Sequence, residues 1–173
     1  KRGEEMDKRK IIYYENELTD EFSLAQITPR KIDGTYDYSY SSRWKKFMHI
    51  FWYRIVATPL AFAYVKLVFH HKTVNKKLLK GFDDTGYFVY GNHTQDIADA
   101  LIPNLLRVSK ETYIIVHPNN VSMPVLGKIT HYLGAIPLPD DMEAYKNFIN
   151  IIEQRICEKK KIVIYPEAHI WPF

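Results

Sequence analysis

The sequence predicts an α/β protein, a sheet of buried strands with helices packed on its faces. Three observations carry that expectation. From residue 87 onward, short apolar runs alternate with longer amphipathic ones. The short runs are rich in β-branched and aromatic residues and are bounded by Gly, Pro, Asn or Asp, as buried strands are. The longer runs repeat their apolar residues at helical spacing, and strand–helix–strand alternation implies a largely parallel sheet covered by helices.

Taken in order, residues 1–42 are polar and Tyr-rich, with turn signals at Pro29 and Asp33-Gly34. They read as an N-terminal extension in which IIYY (11–14) forms a short strand and SYSS (39–42) a linker. Residues 43–80 form a second region, dominated by WKKFMHIFWYRIVATPLAFAYVKLVFHHK (44–72). A spanning helix needs about 20 predominantly apolar residues. Here His49, Arg54 and Lys66 interrupt the run, and Pro59 is expected to kink a helix. Basic residues at both ends, with Trp44, Trp52, Tyr53 and Tyr64 between, predict an amphipathic helix or helical hairpin lying in a membrane interface.

Residues 81–173 form the α/β domain. Its expected strands are YFVYG (87–91), TYIIVH (112–117), GAIPL (134–138) and KIVIYP (161–166). Helices are expected over DIADALIPNLL, VSMPVLGKITHYL and MEAYKNFINIIEQRICEKK. In the last, Ala144, Phe148, Ile151, Ile152 and Ile156 share one face. The apolar run entering Trp171-Pro172-Phe173 is an unusual domain terminus and suggests that a C-terminal part is missing.

Composition narrows the function classes. The 173 residues suit one domain, and 46% apolar with 25% charged residues excludes a disordered chain. A net charge of +4 with 13 Tyr, 9 Phe and 3 Trp suits an anionic surface, either lipid or nucleic acid. The aromatics gather in one apolar segment rather than interleaving with Lys and Arg, so no nucleic-acid partner is expected. A single cysteine, Cys157, permits no intrachain disulfide and points to a reducing compartment. No His or Cys spacing suits a metal, and no Gly-rich loop is present to cradle a nucleotide phosphate.

The chemistry concentrates in GNHTQDIADALIP (91–103), where His93 follows the first strand. Sites in α/β sheets collect beyond strand carboxyl ends, and both His93 and Glu167 stand there. A histidine so placed can act as a general base if a carboxylate fixes its tautomer. Asp96 and Asp99 both lie within reach, although an Asp at a helix start also serves simply as a cap. His117, His131 and His70-His71 read as structural or solvated.

GNHTQDIADALIP, LGAIPLPDD and IYPEAHIWPF, in that order, resemble the first three sequence blocks of the glycerophospholipid acyltransferase family, which includes the lysophosphatidic acid acyltransferases. The resemblance covers roughly residues 50–173. It implies a glycerolipid acyltransferase-like sheet flanked by helices, behind a membrane-associating helical segment. It further implies acyl transfer from acyl-CoA or acyl-ACP to a lysolipid hydroxyl, with no other cofactor, at the cytoplasmic face of a membrane. His93 would be the base and Asp99 its partner, with Asp96 as the rival. Asn92, Thr94, Gln95, Gly134, Pro166, Glu167 and His169 would contact substrate, with amides near Thr94 and Gln95 placed to stabilise an oxyanion.

The chain also departs from the family pattern. His93 and Asp99 are separated by five residues where the family has four, and the longer connection is expected to be absorbed by a bulge or wider first turn. Asp140 stands where the second block has an arginine, and Ala168-His169-Ile170 replaces Gly-Thr-Arg. Those arginines are linked to the acceptor's phosphate, so an acceptor without a bare phosphate monoester is expected, unless His169, Lys128 or missing C-terminal residues supply the charge. The alternative is a catalytically inactive lipid-binding member of the same fold.

Overall fold

The computed structural model describes residues 13, 15, 16, 27–95, 97–168 and 170. The expected strand over 11–14 falls almost wholly outside the described residues. Four strands, β1 (Tyr87–Tyr90), β2 (Thr112–Val116), β3 (Ala135–Pro137) and β4 (Lys161–Ile164), form one sheet in the order β1-β4-β2-β3. All three pairings are parallel. The last strand thus inserts between the first two, and β1 pairs with β4 from Tyr87↔Lys161 to Tyr90↔Ile164.

Helices connect the strands as the periodicity predicts. Between β1 and β2 runs α2 (Ala98–Leu106), and between β3 and β4 runs α5 (Met142–Cys157). Asp141 caps α5, its side chain accepting the Ala144 N–H at 2.8 Å. The α5 face that enters the core carries Ala144, Phe148, Ile151 and also Arg155. Arg155 is tolerated there because its guanidinium lies over the rings of Tyr40 and Tyr113 and pairs with Glu158 at 2.7 Å. The helix expected between β2 and β3 is broken into α3 (Asn119–Ser122), α4 (Leu126–Thr130) and a 3₁₀ turn (His131–Leu133). Pro124 has no N–H to continue α3, and Val125 turns the chain at φ 63°.

The expected boundary at residue 42 does not separate an independent extension. Ile32, Tyr38 and Tyr40 are buried in the same core as Tyr113, Phe148, Ile151 and Ile162. The Tyr38 hydroxyl donates to Pro137 O at 3.0 Å and that of Tyr40 to His131 O at 2.6 Å. Three anchoring side chains in an otherwise polar segment leave no periodic signal, which is why the sequence hid them.

The apolar segment forms one helix, α1 (Arg43–Leu67), rather than a hairpin, with Ser42 as its N-cap. By length and composition alone, α1 is long and apolar enough to cross a membrane. Its middle, Ile50–Ala57, is π-helical, and Pro59 follows directly in the next α-helical stretch. The wider π turn carries the chain into the proline without ending the helix. One side of α1 is tied to the domain. Glu111, just ahead of β2, receives Arg54 at 2.9 Å and Lys160 at 2.6 Å, and His49 Nε2 lies 3.7 Å away. Burial works against ionising Glu111, yet hydrogen bonds from His49, Lys160 and Arg54 overcome it and hold its carboxyl well below the usual range. Tyr53 adds a bridge, donating to Asn104 and accepting the Thr112 N–H, both at 2.7 Å.

A strand's alternation decides what β4 offers to each face. Ile162 and Ile164 join the core under α5, while Lys161, Val163 and then Tyr165 face the other way. Lys161 is fully buried, donating to Pro103 O and Arg107 O, both at 3.0 Å, at the end of α2. Burial, then the nearby Lys76, Lys110 and Arg107, draw its pKa from 10.5 down to about 7. Between those values the unfolded chain holds a proton that the folded chain lacks, so stability rises with pH across that window. Denaturant titrations from about pH 7 to about pH 9.5 are expected to show a gain of at most roughly 1.4 kcal/mol per pH unit. Lys161→Met removes this slope.

Candidate functional site

The pairing of β1 with β4 sets the site. Because Tyr90 and Ile164 are in register, the loops leaving both strands start side by side. Gly91 N–H donates to Ile164 O at 3.3 Å, and two residues later the His93 N–H meets Glu167 Oε2 at 2.9 Å. Glu167 therefore ties the two loops together through a backbone amide. Pro166 and Glu167 are exposed, in the turn that follows β4.

The His93 loop then wraps around one carboxylate. Asp99 Oδ2 accepts from His93 Nδ1 at 2.9 Å, from Thr94 N–H at 2.8 Å and from Gln95 N–H at 2.9 Å. Three donors on one oxygen fix the side chain and leave Nδ1 as the protonated ring nitrogen. The His93 side chain is 22% exposed and that of Asp99 12% exposed, so the pair sits at the surface of the sheet edge with Nε2 not hydrogen-bonded by any described residue. Asp99 is joined to His93 in the structure; the rival partner, Asp96, lies outside the described residues.

α2 begins at Ala98, and a turn leads into it, the Asp99 N–H donating to Gln95 O at 3.3 Å. One expectation about this loop changes. The Thr94 and Gln95 amides are not free oxyanion donors, since both are committed to Asp99. Their work is to hold the carboxylate. Asn92 is exposed beside His93.

The remaining candidates are scattered. Gly134 sits at the amino end of β3, the opposite sheet edge from His93, and its O accepts the Ile114 N–H at 2.9 Å. It is glycine for a local reason: φ is +92°, and a Cβ would come within 2.5 Å of Thr112 O. His169 lies outside the described residues. Lys128 is exposed on α4. Asp140, where the resembling family has an arginine, is used structurally: Oδ2 accepts the Ile32 N–H at 2.6 Å, and its own N–H returns to Ile32 O at 3.0 Å. His131 is half-buried, and desolvation lowers its pKa to about 4, as suits a neutral structural histidine. Among the described residues, no three His, Cys, Asp or Glu side chains converge to hold a metal ion.

Tyr165 is the site residue that sequence reasoning missed. Its ring stacks on His93 with centroids 4.9 Å apart and planes at 25°, and its hydroxyl donates to Asp99 O at 2.6 Å. Burial, then the neighbouring Asp99, push the Tyr165 phenol up, so it remains a donor. Its strand parity with Lys161 and Val163 was the available signal, because it places all three on the α2 side.

Comparison with protein-family models, with curated proteins and with solved structures found no match. The geometry predicts a specific behaviour of the loop. Hydrogen exchange at Thr94 and Gln95 is expected to be slow, and Asp99→Ala to accelerate it by about tenfold or more through loss of the acceptor. Unchanged exchange in that variant contradicts the three-donor arrangement.

Proposed function

We propose that this chain is a membrane-surface O-acyltransferase that moves a fatty acyl group from acyl-CoA or acyl-ACP to a hydroxyl of a lysophospholipid or related glycerolipid. The observation that supports this reading best is the His93 Nδ1–Asp99 Oδ2 contact of 2.9 Å at the carboxyl end of the sheet. In this scheme His93 Nε2 takes the proton from the acceptor hydroxyl as its oxygen attacks the thioester carbonyl. Asp99 holds the imidazolium in place. The tetrahedral intermediate expels the thiolate, which takes the proton from His93 and leaves as a thiol. The order of three motif blocks supports the same chemistry. With the Thr94 and Gln95 main-chain amides committed to Asp99, the developing oxyanion would be met by side-chain donors of the loop, among them the exposed Asn92.

Association with the cytoplasmic face of a membrane is part of the proposal. The side of α1 turned away from the sheet exposes Trp44, Phe47, Ile55, Leu60 and Leu67, a face larger than scattered surface apolar residues provide. Basic residues flank it at both ends, as in interfacial helices. Arg54 and Tyr53 are meanwhile held by the domain, so α1 lies along it instead of standing free.

Two measurements test the proposal. Transfer of a labelled acyl group to a panel of lysolipids and glycerol phosphate is expected with the wild type and reduced roughly 10²–10⁴-fold by His93→Ala. A folded, membrane-bound wild type that transfers to no acceptor favours the inactive lipid-binding alternative. Reversing Lys46, Lys72 and Lys77 to Glu is expected to weaken binding to vesicles rich in phosphatidylserine by at least about tenfold, each cation contributing about 1 kcal/mol near the surface. Equal binding by the reversed protein removes the membrane part of the proposal.

A further inference from the structure

Pro103 lies inside α2. Having no N–H, it cannot bond the carbonyl four residues earlier, which belongs to Asp99. That carbonyl is the one the Tyr165 hydroxyl occupies, at 2.6 Å. The same ring stacks on His93, and Gly91 makes room for it, since a Cβ there would lie 3.1 Å from Tyr165 Cε1. One side chain therefore touches both members of the candidate pair, His93 through its face and Asp99 through its main chain. Opposite it along β4, Lys161 holds Pro103 O and Arg107 O at the other end of α2, so the helix is pinned to a single strand at both ends.

We propose that Tyr165 is a positioning residue for the His93–Asp99 pair, and that Pro103 is present to leave the Asp99 carbonyl open for it. This rests on the acyltransferase reading for its kinetic consequence, but its structural consequence does not. A helix interior with an ordinary residue at 103 would close its own ladder onto Asp99 O. The Tyr165 hydroxyl would then compete for an occupied acceptor, and the link between β4 and the pair would weaken. With proline, that carbonyl is left to the Tyr165 hydroxyl, from the same segment after β4 that carries Glu167 to the His93 amide. The two contacts from the end of β4 thus act on the histidine loop from its backbone and on the aspartate from its own.

The test is a double-mutant cycle of Tyr165→Phe, Pro103→Ala and the combination, read by acyl-transfer kinetics and by hydrogen exchange at Thr94 and Gln95. Tyr165→Phe keeps the stacked ring and removes only the hydroxyl. It is expected to lower kcat by roughly fivefold to tenfold with KM little changed, as the loss of one half-buried hydrogen bond implies. In the Pro103→Ala background, where residue 103 supplies an N–H, the same change is expected to cost less than about twofold. Exchange at Thr94 and Gln95 follows the same pattern, accelerated by Tyr165→Phe only when Pro103 is present. Equal effects of Tyr165→Phe in both backgrounds, a change confined to KM, or no effect at all overturns the proposal. If the wild type transfers no acyl group but the exchange cycle shows the coupling, the positioning device stands and the acyltransferase reading fails.

Discussion

The parallel pairing of β1 with β4 is the constraint on which the site depends. These are the first and last strands of the sheet along the chain, and their in-register ends release two loops within one strand spacing, about 4.8 Å, of each other. That spacing is short enough for the Glu167 carboxylate to reach the His93 amide directly. A shift of β4 by one residue would turn Tyr165 and Lys161 toward α5 and Ile162 toward α2, breaking both ends of the α2 attachment at once. The register is defended by burial, because Ile162 and Val163 are almost wholly enclosed on opposite faces of the strand.

A second consequence concerns what the histidine loop can and cannot do. Backbone amides at a helix entrance are often free to bind anions. Here two of them are spent on Asp99 Oδ2 alongside the imidazole. The arrangement trades a ready anion site for a fixed His93–Asp99 pair. Oxyanion stabilisation in any reaction at His93 then falls to side chains such as Asn92 rather than to the loop's own main chain. Asp140 follows the same logic of structural use: its carboxylate receives the Ile32 amide and seats the N-terminal segment on the domain.

Much of this was legible in the sequence, and what was hidden was hidden for physical reasons. The four strands and α5 announce themselves by periodicity, and the Asp141 cap stands where the helix starts. His93 was legible from its place at a strand–helix junction, but the junction offered Asp96 and Asp99 alike, and only the resemblance favoured Asp99. The order β1-β4-β2-β3 was not, since local patterning carries no information about which buried strand neighbours which. Nor was the packing of Ile32, Tyr38 and Tyr40, which anchor an extended segment one residue at a time. Tyr165 escaped because its role needs Pro103, 62 residues earlier in the chain by position, and only the fold joins them. The π-helical turn before Pro59 escaped for a related reason: a proline predicts a break unless the preceding turn widens to receive it.

The central claim is that His93 is held with its Nδ1 protonated toward Asp99, leaving Nε2 as a base. Nitrogen-15 NMR of the labelled His93 ring, in the folded chain with the imidazole neutral, tests this most directly. A protonated Nδ1 and a bare Nε2, with that preference lost in Asp99→Ala, is the predicted result. A ring carrying its proton on Nε2 instead, or one whose tautomer is indifferent to Asp99, would contradict the account, because the nitrogen facing outward could not then accept a proton from an incoming hydroxyl.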